Sequence, residues 1–331
     1  LPQKISYKNL IVAFEDLHWI DRETEALLNG LIDALSSTRI LLLLSYRPEY
    51  QHRWGSKAVY SQLRLDSLPS PIATALVEDL LGPHASLKPL IEMLVPRGNP
   101  FFLEETVRSL VETGALSGLR GAYHLTRPVQ DLEVPSTVQT ILAARIDRLT
   151  PAQKRVLQAA SVIGKDVPYA LLAAVLGPTE TLRHDLSDLQ EAEFLFEVQI
   201  FPDLEYTFKH SLTHEVTYNS QLRDRRRQLH SQIFHSIRKV YSDRLAEHVE
   251  RMALHALRGE LWNEAAQYGW QSGLRALDRS AAAEAVHHLS GTKTALENLP
   301  SGPERTGRLV DLAFDMRNAL FALGEFGRMG E

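Results

Sequence analysis

The sequence contains no cysteine among its 331 residues. Without cysteine, the protein can form no disulfide framework and no zinc site that uses thiolate ligands. A chain of this length that manages without disulfides is compatible with a reducing compartment. We therefore predict that the protein is cytoplasmic.

Long apolar runs and an excess of basic residues are lacking too. The densest apolar run, Ile40–Leu44, is far shorter than the ~20 residues that a membrane-spanning helix needs. The N-terminal residues do not have the layout of a signal peptide. The 36 basic and 41 acidic residues give a formal charge of -5, so the overall charge gives no argument for a nucleic acid or an anionic membrane as a partner.

The sequence has no phosphate-binding loop of the form GxxxxGK[ST]. Its Gly-Lys pair, Gly164-Lys165, has Ala159 where the first glycine should stand and Asp166 where serine or threonine should follow. In such loops, the backbone amides and the lysine supply most of the phosphate binding. We therefore expect this chain alone to hold no nucleotide tightly.

The length of the chain and its 44% hydrophobic content allow two or three domains. The first of them opens with a strand–helix–strand pattern. Leu10–Phe14 and Arg39–Ser45 are built around apolar runs of the kind found in buried parallel strands. The amphipathic stretch Arg22–Ser36 lies between them and follows Asp21, a favourable N-cap residue. The three elements predict one βαβ unit.

Two acidic residues, Glu15 and Asp16, come directly after the first predicted strand. They lie at the edge where α/β sheets bind ligands. Paired acids there suit a magnesium nucleotide, because one carboxylate can hold the hydrated cation while its neighbour orients the attacking water. The alternative is that both acids merely cap the following turn.

Short elements fill the middle of the chain. Glycine and proline interrupt residues 68–114, which predicts short helices and a turn at Gly98-Asn99-Pro100. Two glycines among alternating apolar stretches predict a hairpin and a linker at residues 114–134. Helices are predicted to begin at Ser136 and at Thr150-Pro151. Helices are then predicted at residues 169–176 and 180–191, and strands at residues 194–199 and 204–209. Three helices followed by a hairpin indicate a winged helix.

A winged helix often reads DNA, but this one carries the wrong charge. The predicted recognition helix and its end, residues 180–193, hold five acidic side chains against Arg183. Such a face repels phosphates. The run Arg223–Arg227, basic apart from Asp224, is predicted to be the solvated first turn of the next helix. Nucleic acid is therefore not expected as a partner.

The pattern from Ser211 onward is helical and rich in alanine. Turns are predicted at Gly259-Glu260-Leu261 and Gly324-Glu325-Phe326, and their spacing of 65 residues is about twice the 34 of a tetratricopeptide repeat (TPR). Such repeats present concave surfaces, so a protein partner is expected on them. Because a buried-strand pattern begins at Leu10 and no partner helix follows Gly324, we expect the chain to be an internal piece of a larger one.

Ordered segments of the sequence resemble one protein class. They are IVAFEDLHWID, RILLLLSYRPEY, GNPFFLEETVRSLVETGAL, VPSTVQTILAARIDRLTPAQKRVLQAASVIG and YTFKHSLTHEVTYNSQLRDRRRQLH. In this order they resemble the STAND class, signal-transduction ATPases with numerous domains. More narrowly, they resemble its bacterial members that are fused to adenylate cyclases, protein kinases or transcription regulators.

The resemblance implies a mixed, mainly α fold. Its parts are the C-terminal part of a parallel α/β P-loop NTPase domain with the Walker B and sensor 1 strands (1–66), a helical lid with a linker hairpin (67–134), a winged helix (135–210) and a truncated TPR-like α-solenoid (211–331). It also implies that the phosphate-binding loop lies in a segment upstream of residue 1. An output domain is expected elsewhere on the same chain.

The resemblance also implies a site for ATP or ADP and Mg²⁺ in the full-length protein. Glu15 stands at the magnesium position of the Walker B strand, and Asp16 stands at the position associated with catalytic water activation and lies beside the metal. Their order differs from the commoner Asp-Asp or Asp-Glu, so the division of roles stays open. Arg47 matches the sensor arginine, which can bind phosphate oxygens. Pro100 matches the proline of the GxP turn that packs on adenine. His210 matches a histidine that reaches the phosphates from the winged helix.

Each of these residues also has a simpler interpretation. Arg47 is then a surface loop residue, Pro100 is part of an ordinary turn, and His210 is a buried or capping histidine. His210 and His214 have the i,i+4 spacing of a metal pair, but zinc needs a third ligand and the sequence has no HExxH pattern.

Three functions are compatible with these sequence features. In the first, the protein is a nucleotide-driven regulatory switch, in which nucleotide state selects between domain arrangements. In the second, it is a winged-helix transcription regulator that binds DNA. In the third, it is a protein-binding TPR scaffold with an inert acidic strand. A phosphate-binding loop in the upstream sequence favours the switch, and its absence favours the scaffold.

Overall fold

The computed structural model describes residues 9–17, 20, 22–177, 180–200 and 203–324. The predicted N-cap Asp21 and the turn residues Glu325 and Phe326 lie outside these residues. The chain is mainly helical and divides into two compact units, one made of the residues up to Arg64 with those from Ala246 onward, and the other of Leu65–Leu245. No helix in the described ranges is both long and apolar enough to cross a membrane. The boundaries between the four predicted domains stay predictions.

The first unit begins with the predicted strand–helix–strand pattern. Strands β1 (Leu10–Phe14) and β2 (Ile40–Leu44) pair in parallel along their whole length, and helix α1 (Arg22–Ala34) connects them. The helix ends before the predicted Ser36, because Leu35–Ser37 tightens into a 3-10 turn. The predicted βαβ unit is therefore confirmed.

The two faces of this sheet differ in burial. One face packs on a core to which α1 contributes Leu28 and Ile32. The other face leaves Ile11, Leu41 and Leu43 at 66%, 54% and 51% exposure. The prediction of buried strands is thus wrong for one face, because α1 covers only the side of the sheet on which it packs.

The second unit opens with three helices and a hairpin. Helices α2 (Ser70–Leu81), α3 (Lys88–Leu94) and α4 (Pro100–Glu112) surround a common apolar core, and strands β3 (Leu116–Leu119) and β4 (Ala122–Leu125) form an antiparallel hairpin, as predicted. Gly82, just after α2, has φ +90°, and a Cβ there would lie 2.1 Å from the carbonyl oxygen of Gly121. Only glycine lets the hairpin approach the helix end so closely.

The next helices begin at side-chain caps. Helix α5 (Val138–Arg148) begins two residues after the predicted Ser136, because Thr137 takes the N-cap position and accepts a 3.2 Å bond from the amide of Thr140. Helix α6 (Pro151–Ile163) starts at Thr150-Pro151 as predicted, with a reciprocal capping box between Thr150 and Gln153.

A three-stranded antiparallel sheet follows α6. Strand β5 (Asp166–Pro168), helices α7 (Tyr169–Leu176) and α8 (Glu180–Glu191), and strands β6 (Leu195–Ile200) and β7 (Asp203–Phe208) come in this order, and β7 lies between β5 and β6. The two helices have the predicted bounds, and the two long strands are displaced from theirs by about one residue. β5 was not predicted, because three residues carry no detectable alternation.

Helices make up the remainder of the described chain. Helices α9 (Ser211–Asn219) and α10 (Arg223–Val240) complete the second unit. The first unit resumes with an array of four helices, α11 (Val249–Arg258), α12 (Trp262–Asp278), α13 (Ala282–Glu297) and α14 (Pro303–Leu323), each packed on the next. The predicted turn at Gly259-Glu260-Leu261 separates α11 from α12, and Gly324 ends α14 with φ +71°.

Candidate functional site

The ends of β1 and β2 are tied together at one edge of the sheet. Phe14 lies opposite Leu44, so the residues that follow both strands leave at the same edge. The amide of Ser45 donates to the carbonyl of Phe14 at 2.9 Å, and the amide of Leu17 donates back to the carbonyl of Ser45 at 3.0 Å. The hydroxyl of Ser45 accepts a 3.1 Å bond from the amide of Asp16. These bonds fix the backbone that carries the predicted acids.

Three charged side chains project from this edge. Glu15, Asp16 and Arg47 are all exposed, and no described residue forms an ion pair or a side-chain hydrogen bond with any of them. Asp16 has φ +57°, a left-handed conformation that aspartate and asparagine adopt more readily than most residues. The structure therefore brings these three predicted residues to one edge, where their charges have no partner within the described part of the chain.

An aromatic cluster, formed by Tyr46, Tyr50, His52, Trp54 and Tyr60, lies beside Arg47. The Tyr46 and Tyr60 hydroxyls are 2.7 Å apart, and His52 Nε2 lies 2.9 Å from the first and 3.1 Å from the second. His52 Nδ1 accepts the backbone N–H of Trp54, and its ring stacks on the indole at 4.8 Å. The cluster folds the segment after β2 back on itself and holds the turn that carries Arg47. Sequence reasoning missed it, although four aromatic rings at positions 46, 50, 52 and 54 are a detectable signal.

Two tyrosines of the cluster should titrate late. Burial, with a 3.0 Å bond to Glu25 Oε1, raises the pKa of Tyr50 from its usual 10.0 to about 12. Burial, with the bond to Tyr46, raises the pKa of Tyr60 to about 12. Because both values lie above those of the unfolded chain, the stability these groups contribute is complete below about pH 10 and is lost as the pH rises through about 12.

Alkaline titration followed by tyrosinate absorbance tests this assignment. The Tyr50→Phe/Tyr60→Phe double variant is expected to lose the latest-titrating fraction of the parent protein. Glu25→Gln keeps the shape of the acceptor but removes its charge, so Tyr50 should titrate earlier. A late fraction of unchanged size in the double variant would show that the cluster does not hold these tyrosines.

The second group of predicted residues lies in the second unit. Asn99 caps α4 by accepting a 3.1 Å bond from the amide of Phe102, and Gly98 precedes it with φ +62°. Pro100 is the first helical residue, a position at which the missing N–H costs nothing. The next side chain, Phe101, lies with its ring centroid 4.1 Å from that of His210. The structure thus brings the predicted proline turn and the predicted histidine together.

His210 has an unusual environment. Its Nε2 atom is buried and has no hydrogen-bond partner among the described residues. Burial, and secondly the charge of Lys209, lowers the pKa of His210. The lowered pKa favours the neutral form of the imidazole, whose ring lies against Phe101 in the first turn of α4. A buried polar atom without a partner is uncommon in proteins.

A buried ion network joins α4 to α5 and to the segment before β6. The guanidinium of Arg145 pairs with Glu105, bonds Glu112 Oε1 at 2.7 Å and donates to the carbonyl of Ala192 at 2.8 Å. It also lies 4.6 Å from the centroid of the Phe194 ring. Burial alone would lower the pKa of Arg145, but the bonds and charges of the two glutamates outweigh it and raise the pKa. Sequence reasoning missed this network.

A second set of ion pairs continues from α4 to the hairpin. Glu193 accepts from Arg108 Nη2 at 2.7 Å and also from Lys209, the residue before His210. Burial alone would raise the pKa of Glu193, but the bonds from Lys209 and Arg108 bring it below its usual value. Glu193 therefore connects Arg108 of α4 with Lys209, the residue before His210.

His214 is committed to a structural bond. Its Nε2 atom donates to the carbonyl of Ser161 at 2.9 Å, and burial lowers its pKa. Within the described parts of the chain, no group of three His, Asp or Glu side chains lies close enough to hold a metal ion. The i,i+4 pair of His210 and His214 therefore gains no third ligand there.

The face of α8 retains the acidic character seen in the sequence. Arg183 lies with its guanidinium carbon 5.8 Å from the centroid of the Tyr169 ring. Among the acids, Asp188 accepts a 2.8 Å bond from Gln153, and Glu193 is engaged in the ion pairs described above. These contacts are internal to the second unit. The expectation that this face does not bind nucleic acid stays a prediction.

Comparison with known proteins gives few relatives. No protein-family model matches the sequence. Over 257 residues, 74% of this chain, the sequence is 29% identical to an uncharacterized protein of Rhizobium meliloti. The matched part is 24% of that protein, so the chain spans about a quarter of the relative's length.

One similar solved structure is a Signal Transduction ATPase with Numerous Domains (STAND) protein with a tetratricopeptide repeat sensor from Pyrococcus horikoshii. The TM-score is 0.44 at 12% identity, and the match covers 96% of this chain and 49% of that one. Neither comparison assigns a function to this chain.

Proposed function

We propose that this chain is part of a nucleotide-dependent regulatory protein and supplies the magnesium and hydrolysis side of its ATP site. One observation carries the proposal. Glu15, Asp16 and Arg47 project from the carboxyl ends of neighbouring parallel strands, and no other described residue bonds to their side chains. Because α/β sheets bind ligands at that edge, free charges of both signs there suit a ligand that combines a cation with phosphates.

The donor set fits hydrated magnesium. Mg²⁺ prefers carboxylate oxygens and keeps several waters, so one or two carboxylates suffice beside the phosphates. In the proposal, Glu15 holds the cation, Asp16 orients the attacking water, and Arg47 binds phosphate oxygens through its planar guanidinium. When bound, the cation neutralises negative charge on the phosphates.

The exposed apolar face of the sheet supports a further part of this domain. Parallel strands are usually covered on both faces, yet Ile11, Leu41 and Leu43 are all more than half exposed. We propose that an upstream α/β segment of a longer chain covers this face and carries the phosphate-binding loop. The loop would supply the amides and the lysine that this chain lacks.

Pro100 and His210 of the second unit are proposed to respond to nucleotide as well. This assignment comes from the sequence resemblance. The ring contact between His210 and Phe101, the residue after Pro100, supports treating them as one group. Nε2 of His210 is buried and has no partner among the described residues, so a ligand would reach it only if the residues around it moved. A neutral imidazole there can donate to a phosphate oxygen or accept from a ligand hydroxyl.

The proposed role of the nucleotide is regulatory. In a switch of this kind, the α11–α14 array recognises a protein partner, and nucleotide state controls an output domain of the same longer chain. An adenylate cyclase, a protein kinase or a transcription regulator would fit that output role. We propose that the protein acts in the cytoplasm.

Nucleotide binding to the full-length protein tests the proposal. Arg47→Ala is expected to weaken magnesium-ATP binding by about tenfold or more, because a hydrogen bond to a charged group is worth about 1.5–3 kcal/mol. Arg39→Ala is the matched control, since Arg39 is exposed and precedes β2 at the opposite edge of the sheet. Equal affinities of the two variants would contradict the role of Arg47.

The isolated 331-residue chain provides a second test. Without a phosphate-binding loop it should show no magnesium-dependent ATP turnover, because paired acids do not position a triphosphate alone. Turnover by the pure chain would overturn this expectation. A full-length protein that binds its partner but no nucleotide would favour the scaffold function instead.

A further inference from the structure

A groove lies on the helical array between α11 and α13, with α12 as its floor. It encloses about 310 Å³, and residues of these three helices line it. Glu250, Arg251, Leu254 and Leu257 come from α11, small residues come from α12, and His287, His288 and Gly291 come from α13. A volume at the lower end of ligand-pocket sizes suits one or two large side chains rather than a folded domain.

The floor of this groove is apolar and kept open by small residues. Ala265 and Gly269 of α12 line it, as does Gly291 of α13. A Cβ on Gly291 would approach Leu257 Cδ2 to 3.1 Å, so a larger residue there would crowd the wall. Leu254 lines the groove and is 46% exposed. An exposed leucine in a concave apolar surface gives a second apolar side chain an area to bury.

The charges at the rim are unequally satisfied. Glu250 is bonded by Arg279 at 3.0 Å, and the same guanidinium bonds Glu284 at 3.1 Å. Glu284 also lies 3.6 Å from Nε2 of His288, another lining residue. In contrast, Arg251 has no ion-pair partner in the described part of the chain. The acidic side chains of the rim are thus engaged, and the uncommitted charge is a cation.

We propose that this groove binds a short segment of a partner protein that places an apolar side chain against Leu254 and an acidic side chain at Arg251. The proposal refines the partner recognition that the proposed function gives to the α11–α14 array. Apolar burial supplies the affinity, and the free guanidinium selects a carboxylate in the flanking position. A polyphosphate does not fit, because most of the lining is apolar and carries one uncommitted cation.

Selection from a phage-displayed library of random peptides, with the 331-residue chain as bait, tests the proposal. The enriched peptides are expected to share a large apolar residue with an Asp or Glu close to it. A synthetic copy of one enriched peptide should bind Leu254→Ser about tenfold or more weakly, as expected when an anchor contact is lost. Leu274→Ser should bind like the parent, because Leu274 is a comparably exposed leucine of α12 that does not line the groove.

A charge-reversal pair makes the test specific. Arg251→Glu should bind the acidic peptide weakly and bind a copy with lysine in the acidic position better than the parent does. Thermal unfolding checks that each variant keeps its fold, which is expected because the substitutions lie at accessible positions. Enrichment without an acidic preference, no enrichment at all, or equal loss in Leu254→Ser and Leu274→Ser would overturn the proposal. No nucleotide is involved, so these outcomes are independent of the test of Arg47.

Discussion

Replacing Arg145 by methionine is expected to destabilise the second unit by about 3–5 kcal/mol, the cost of leaving a buried charge without its partner. Arg145 is 1% exposed and Glu105 is 3% exposed, so water cannot replace the lost guanidinium. The carbonyl of Ala192 also loses its 2.8 Å bond and keeps a 3.5 Å bond from Arg108. Hydrogen exchange of the α4 and α5 amides in the intact chain measures the loss locally.

Arg148→Met is the matched control for this prediction. Arg148 lies on the same helix and bonds the same Glu112 at 2.9 Å, but its side chain is 34% exposed. A partly exposed ion pair of this kind contributes about 1 kcal/mol or less. Similar losses of stability from the two substitutions would show that burial does not determine how strongly the ion network stabilises the unit.

The Arg145→Met/Glu105→Leu double variant separates pairing from packing. Removing both charges leaves no uncompensated ion in the core, so the double variant should be more stable than Arg145→Met alone. This result would fit a network whose charges mainly satisfy each other. A double variant less stable than Arg145→Met would instead mean that the Glu105 side chain contributes through other contacts.

The helices and strands were predictable because their signals are local. The capping box of Thr150 and the proline after it mark the start of α6, and apolar runs mark β1 and β2. A shift of the helix start by one position, as between Ser136 and Thr137, is smaller than local rules can resolve. Burial of the sheet was not predictable, since it depends on which elements pack on each face rather than on the strands themselves.

The buried network and the aromatic cluster needed the tertiary structure. Nothing in the sequence pattern around Arg145 distinguishes it from an arginine on the surface of a helix. Charged residues are usually exposed, so burial of Arg145 was not expected. Its three acceptors come from positions 33 to 47 residues away. The predicted site residues were local to strand ends and turns. Only the structure shows that Phe101 contacts His210 and that Nε2 of His210 has no hydrogen-bond partner among the described residues.

In the full-length protein, Asp16→Asn is expected to lower ATP turnover by about two orders of magnitude or more while nucleotide binding is kept. Asparagine removes the negative charge that polarises the attacking water but keeps the size of the side chain. It also accepts the left-handed backbone at this position, where Asp16 has φ +57°. Loss of turnover in this variant is therefore not a consequence of backbone strain.

Glu15→Gln in the same protein distinguishes the two acids. If Glu15 holds the cation, this variant should weaken nucleotide binding in the presence of magnesium and leave magnesium-free binding nearly unchanged, because the metal loses an anionic ligand. Isothermal titration with and without magnesium, next to single-turnover hydrolysis, separates that effect from the one at Asp16. Exchanged phenotypes would mean that the Glu-Asp order reverses the roles proposed here. Hydrolysis at the parental rate in both variants would mean that neither acid takes part in the reaction.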